Sequence, residues 1–165
     1  VGIALSKKTG DTFVLVGDGS YLMMHTELVT AIQEEQKLTI IVFENRKFSS
    51  IDNLSKSCGS QGFGNEFRYR EKNNDQLSGR FLEIDFAKNV ESLGGKAFLA
   101  ASKKELQIAL KEARNYPRTC AIILAINLEK EIPSFHTRWE VPVAQVSNSD
   151  CVRKARVHYE KTFSL

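Results

Sequence analysis

An aspartate set between glycines, Gly17-Asp18-Gly19-Ser20, directly follows the apolar run Thr12-Phe13-Val14-Leu15-Val16. Glycines let the main chain approach a bulky group closely. A helix starting here would offer free N–H groups and the positive end of its dipole, a setting that suits phosphate. A carboxylate repels a bare phosphate but is a good ligand for a magnesium ion bridging one. A second polar set, Glu44-Asn45-Arg46-Lys47, closes the β-branched run Thr39 to Phe43. Adjacent parallel strands end side by side, so the Asp18 carboxylate and the Asn45 amide oxygen can face one ion. Magnesium takes oxygen ligands in near-octahedral geometry. Asp18, Asn45, a main-chain carbonyl near Lys47, diphosphate oxygens and water would complete that set. Taken alone, Asp-Gly after a strand reads as a turn and Asn at a strand end as a turn residue or helix cap. The pair together points to a metal. Other phosphate loops fail: Leu22 stands where a dinucleotide fingerprint needs its third glycine, and Gly95-Lys96 lacks the remaining residues of a Walker loop.

The elements that must position these residues follow from hydrophobic period. Thr12 to Val16, Thr39 to Phe43, Ala97 to Ala101 and Cys120 to Leu128 are β-rich runs, and amphipathic stretches separate them. Tyr21, Met24, His25, Leu28, Val29 and Ile32 define one helix face behind the first strand. Phe86, Val90 and Leu93 define another, with Asp85 as its cap and Gly94-Gly95 as its stop. Ser102 and Glu105 form a capping box ahead of Leu106, Ala109, Leu110 and Ala113, and Val152, Ala155 and Tyr159 mark a last helix. Unbroken hydrophobic strands alternating with helices indicate an α/β fold, a doubly wound and mainly parallel sheet with helices on both faces. The stretch from Asn45 to about Phe81 is polar and reads as one long functional loop, expected to fold over a ligand and exclude or admit water. Pro133 and Pro142 bracket an irregular segment. No repeat or domain linker is evident, so residues 1–165 read as a single domain.

Composition narrows the classes. The chain has 165 residues with 42% hydrophobic and 26% charged, which suits one globular domain and excludes disorder. No apolar run approaches the ~20 residues a bilayer span needs. A net charge of +3 with acids and bases interleaved suits an anionic ligand and gives no stripe for nucleic acid. Cys58, Cys120 and Cys151 are widely separated, which argues against a disulfide framework or a zinc site and for a reducing compartment. Cys120 reads as core and Cys58 as surface. Arg68 and Arg70 can offer paired donors to hydroxyls or a carboxylate, or form a solvated charged face. His25 reads as a hydrogen-bonded core histidine. His136 and Trp139 lie in the irregular segment, where Trp139 can seal an interface. None of these is assigned a catalytic role.

Gly17-Asp18-Gly19-Ser20, with Asn45 placed 27 positions after Asp18, resembles the motif of the thiamine-diphosphate-dependent enzymes. Met23 and Thr26-Glu27-Leu28 are similar to the acetohydroxyacid-synthase branch. Gly59-Ser60-Gln61-Gly62-Phe63-Gly64, Glu66-Phe67-Arg68, Ile84 to Asn89, and Trp139 with Val141-Pro142-Val143-Ala144 resemble the trihydroxycyclohexanedione hydrolases of myo-inositol catabolism. The likeness runs from about Thr12 to Tyr159. It implies the C-terminal diphosphate-binding domain of a longer, cytoplasmic, multidomain enzyme, with thiamine diphosphate and Mg2+ as cofactors. Asp18 and Asn45 would hold the metal through side chains and Lys47 through its carbonyl. Gly17, Gly19 and Ser20 would meet the diphosphate, and Met23 would pack near the cofactor. Glu44 departs from the family, where an Asn often stands. The glutamate that activates the cofactor belongs to an N-terminal domain with no counterpart here, so the fragment is expected to be inert alone. Activity would need those domains in a homodimer or homotetramer. The implied substrate is a polyhydroxylated cyclic diketone opened by hydrolysis. The alternative is a carboligase of the acetolactate-synthase or glyoxylate-carboligase type. A non-catalytic cofactor-binding module is a further class, against which the presence of both Asp18 and Asn45 counts. No nucleic-acid or membrane partner is implied.

Overall fold

The computed structural model describes residues 1–6, 10–126 and 141–163. In chain order the elements are α1 (Gly2–Ser6), β1 (Thr12–Gly17), α2 (Asp18–Met24), α3 (Glu27–Gln33), β2 (Leu38–Glu44), α4 (Ser49–Ser57), α5 (Phe86–Ser92), β3 (Lys96–Ala100), α6 (Lys103–Asn115), β4 (Cys120–Ala125) and α7 (Asp150–Phe163). Described residues of Val1–Asn45 and Glu83–Glu129 form one compact unit, and those of Arg46–Leu82 and Lys130–Leu165 form a second.

The first unit is the α/β sheet. Its strands are all parallel in the order β1-β2-β4-β3. Side chains alternate across a strand, and the core divides accordingly. Ile40, Val42, Ala121 and Ile123 face one layer with Ala4, Tyr21, Leu28, Ala31, Phe86 and Val90. Ile41, Cys120, Ile122 and Leu124 face the other with Ala109 and Ala113 of α6. Each fully buried Leu, Ile or Val contributes roughly 1.5–3 kcal/mol of burial. At the edge strand β1, Phe13 and Leu15 are exposed.

The end signals in the sequence are realised. The Asp85 carboxylate accepts from the Lys88 N–H at 2.9 Å and starts α5, and Gly94 takes φ 93° just past its end. The Ser102 hydroxyl accepts from the Glu105 N–H at 3.3 Å, while Glu105 reaches back to the Ala101 N–H at 2.7 Å. The single helix expected behind β1 is instead two. At His25 and Thr26 the ladder tightens, with Leu28 N–H donating to the His25 carbonyl and Val29 N–H to that of Thr26. The shift turns Met24 and Val29 to solvent, while Tyr21 and Leu28 stay buried. His25 is half-buried, its ring beside Tyr21 and its Nδ1 3.2 Å from the Leu22 carbonyl oxygen.

The second unit corrects the reading of Asn45 to Phe81 as one loop, because it contains α4. Helix α4 escapes an apolar-period search because its one buried residue is Asp52, while Ile51 and Leu54 are exposed. The rest is a compact fold-back with antiparallel bridges at Lys47 to Glu66 and Arg68 to Phe81. Phe48 and Phe67 meet edge to face, and the Arg68 guanidinium lies 3.6 Å from the Phe81 ring centre. Gly59, at φ 79°, packs so closely that a Cβ there would sit 2.5 Å from the Cys151 carbonyl oxygen. Helix α7 is tied in by Arg156, which donates to Glu160 at 2.8 Å and to the Val143 carbonyl at 2.9 Å. Pro133, His136, Trp139, and Asn127 and Leu128 of the fourth expected strand lie outside the described residues.

Candidate functional site

Strand register brings the two halves of the expected metal site together. Gly17, the last residue of β1, pairs with Phe43 of β2, so the chain leaves the sheet side by side at Asp18 and at Glu44-Asn45. Asp18 opens α2 and its side chain is completely buried. Its Oδ1 accepts the Gly19 N–H at 2.8 Å, and its Oδ2 accepts the Asn45 N–H at 2.9 Å. That second bond fastens the end of β1 to the end of β2. The Gly19 amide, expected at a diphosphate, is thus turned to the aspartate beside it. Glu44 is the last residue of β2, and its carbonyl accepts the Ile126 N–H at 3.0 Å.

The donor set fits a hard cation. Asp18 supplies a buried carboxylate, and carboxylate oxygen is a hard donor of the kind magnesium takes. Among the described residues no group of three or more His, Cys, Asp or Glu could hold a metal. A metal at Asp18 therefore draws its remaining ligands from amide, carbonyl or phosphate oxygens, which is the preference of magnesium. Gly17 leaves room: a Cβ built on it meets nothing within 4 Å. Ser20 and Met23 are exposed on the same short helix.

Lys47 belongs to the second unit, where its ammonium meets Asp52 Oδ2 at 3.0 Å. Lys56, one helical turn beyond Asp52, reaches the same oxygen at 2.7 Å. Burial pushes the Asp52 carboxyl up, yet the hydrogen bonds and charges of Lys56 and Lys47 outweigh it and hold the group below its usual range. The bond to Asp52 raises Lys56 in turn. Asp52 is the residue that the sequence reading missed. Its signal was the spacing of Lys47, Asp52 and Lys56, the last two being four apart as on a helix face. Arg68 and Arg70, possible ligand contacts, are engaged inside the unit. Arg68 pairs with Glu66 and donates to the Gly79 carbonyl at 2.9 Å, and Arg70 meets Asp75 Oδ1 at 3.0 Å.

A family model matches residues 1–124: thiamine pyrophosphate enzyme, C-terminal TPP binding domain. The chain belongs to this family. Among curated proteins it is 37% identical over 155 residues to a 3D-(3,5/4)-trihydroxycyclohexane-1,2-dione hydrolase 2 of Bacillus cereus, a match covering 94% of this chain and 24% of that protein. It is 35% identical over 154 residues to the 3D-(3,5/4)-trihydroxycyclohexane-1,2-dione hydrolase of Clostridium botulinum, covering 93% of this chain and 24% of the other. The chain therefore spans about a quarter of the length of these relatives. Among solved structures, a thiamine diphosphate-dependent 4-hydroxybenzoylformate decarboxylase of Rhodococcus jostii RHA1 matches with TM-score 0.61 and 24% identity over 77% of this chain and 22% of that one. A benzoylformate decarboxylase from Polynucleobacter necessarius matches with TM-score 0.63 and 21% identity over 78% and 22%. Both share the fold with this thiamine-diphosphate-binding domain. No described helix is long and apolar enough to cross a membrane.

Proposed function

We propose that this domain supplies the magnesium–diphosphate half-site of a thiamine-diphosphate-dependent hydrolase that opens a polyhydroxylated cyclic 1,2-diketone, of the trihydroxycyclohexanedione type, to a deoxyuronate-type acid. The observation that carries the reading is the buried Asp18 carboxylate bonded across to the Asn45 main chain, within a chain 37% identical over 155 residues to a protein named as that hydrolase. Asp18 and Asn45 would hold Mg2+ through their side chains. Gly17, Gly19 and Ser20 line the diphosphate, and Met23 packs near the cofactor. When bound, thiamine diphosphate supplies a nucleophilic carbon and an electron sink, the chemistry that cleavage between two carbonyls lacks. This chain's own part is to anchor the diphosphate and neutralise it through the metal. Catalysis draws on further domains of the same cytoplasmic enzyme, assembled as a homodimer or homotetramer, and the domain alone is inactive.

The test is made on the full-length enzyme loaded with thiamine diphosphate and Mg2+. Ring opening of trihydroxycyclohexanedione is compared with carboligation of pyruvate or glyoxylate. Cofactor-dependent ring opening supports the proposal. Carboligation without ring opening overturns it and moves the enzyme to the synthase branch.

A further inference from the structure

Helix α2 carries Asp18 as its first residue and Ser20 and Met23 on its exposed side, yet it has seven residues and Gly17 gives it no side-chain cap. A helix that short does not hold its shape in water by its own hydrogen bonds. Its buried side chains are those of Asp18 and Tyr21. Asp18 fixes the first residue through its bonds to the Gly19 and Asn45 N–H groups. One fixed point leaves a segment free to swing about it, and Tyr21, nearly a turn further on, supplies a second. We propose that Tyr21 and its partner Asn89 are positioning residues that hold α2 in place for the cofactor. The proposal rests on the function given above and gives it two residues beyond the metal and diphosphate contacts.

Tyr21 is 4% exposed, and its ring meets that of Phe86 edge to face with ring centres 5.9 Å apart. Its hydroxyl donates to Asn89 Oδ1 at 2.7 Å, across 68 positions of sequence. Phe86 and Asn89 lie three apart on α5, so ring and hydroxyl meet one face of that helix. Burial pushes the Tyr21 phenol up to about 12, which keeps its proton on the oxygen at neutral pH and makes it the donor. Helix α5 is itself well held, capped by Asp85 and with Phe86 and Val90 buried in the sheet's core layer. The tether therefore runs from the helix of the site to a fixed part of the same unit. Apolar packing alone asks only for a ring at position 21. The hydrogen bond adds direction, which sets the rotation of α2 about its axis and with it the placing of Ser20 and Met23.

The experiment compares the full-length enzyme with its Tyr21→Phe variant, which keeps the ring and removes the hydroxyl. Hydrogen exchange read by mass spectrometry reports on the cofactor-free proteins, and calorimetric titration with thiamine diphosphate at saturating Mg2+ reports affinity. In the variant, peptides over residues 18–24 should exchange roughly fivefold faster and thiamine diphosphate should bind roughly fivefold more weakly, the scale of one modest hydrogen bond. A second variant, Tyr21→Phe/Asn89→Leu, leaves no carboxamide without its donor, and replacing both partners by apolar groups is close to neutral for stability. It should restore any protection lost from peptides over residues 38–43 and 120–125, while residues 18–24 stay fast and binding stays weak. A purely structural role would return affinity together with sheet protection, and that outcome overturns the proposal. Unchanged exchange over residues 18–24 in Tyr21→Phe overturns it too. A parent enzyme that binds no thiamine diphosphate removes the function given above and this proposal with it. A parent that binds the cofactor, matched by an equally tight Tyr21→Phe variant, removes this proposal alone.

Discussion

The Asp18 carboxylate has two separable jobs, because it fastens two strand ends and offers oxygens to a cation. Asp18→Ala strands two main-chain N–H groups, those of Gly19 and Asn45, and is expected to cost about 1–3 kcal/mol in urea unfolding. Asn45→Ala leaves its own N–H bonded to Asp18, so its stability loss should be smaller. Both substitutions should weaken Mg2+-dependent thiamine diphosphate binding at least tenfold by calorimetric titration. An Asn45→Ala protein binding as tightly as the parent would remove that side chain from the proposed ligand set. Asp18 and Asn45 were legible because their types and spacing carry the chemistry directly. Asp52 was not, since a carboxylate buried by two lysines looks in sequence like one more surface charge.

Elements were legible where their ends are written in local chemistry. The caps at Asp85 and Ser102 and the stop at Gly94 need only neighbouring residues, and the strands announce themselves by short apolar runs, β-branched in β1, β2 and β4 but not in β3. Ser102→Ala should therefore cost about 1 kcal/mol, measured by chemical denaturation, without altering the core. Helix α4 was hidden for the opposite reason: the ion pairs of Lys47 and Lys56 with Asp52 stand in place of an apolar stripe. Asp52→Ala should cost about 2–3 kcal/mol, because it removes the buried carboxylate that the partly exposed Lys47 ammonium meets at 3.0 Å. The value stays below that of a wholly buried pair because Lys56 is half-exposed and screened. Lys56→Met should cost less than Asp52→Ala in the same denaturation series, and equal losses would argue that Lys47 contributes nothing to the helix. The division into α2 and α3 was likewise invisible, since the residues on either side keep a helical period and only the hydrogen-bond ladder shifts.

Across the whole chain, the two units differ in what holds them. The sheet rests on buried Ile, Val, Leu and Ala, and burial pushes its core thiol, Cys120, further from ionising near neutrality. The second unit rests in part on charges, which gives it a pH window. Asp52 is held below its unfolded value of ~3.9, so the stability it contributes is present above that value and is lost as pH falls through the lower folded one. Lys56 is raised above its unfolded value of ~10.4, so its contribution is present below that value and is lost as pH rises through the folded one. Hydrogen exchange read by mass spectrometry, corrected for intrinsic rates, resolves the two units. Moving from neutral pH to below about 3, peptides over residues 47–57 should lose protection well before peptides over residues 38–43 and 120–125. Removing Asp52 should abolish that difference in acid sensitivity, because the group whose protonation opens the helix is then gone. Parallel loss in all peptides of the parent protein would instead mean that the chain unfolds in acid as one cooperative body, with the Asp52 pairs too weak to set a threshold of their own.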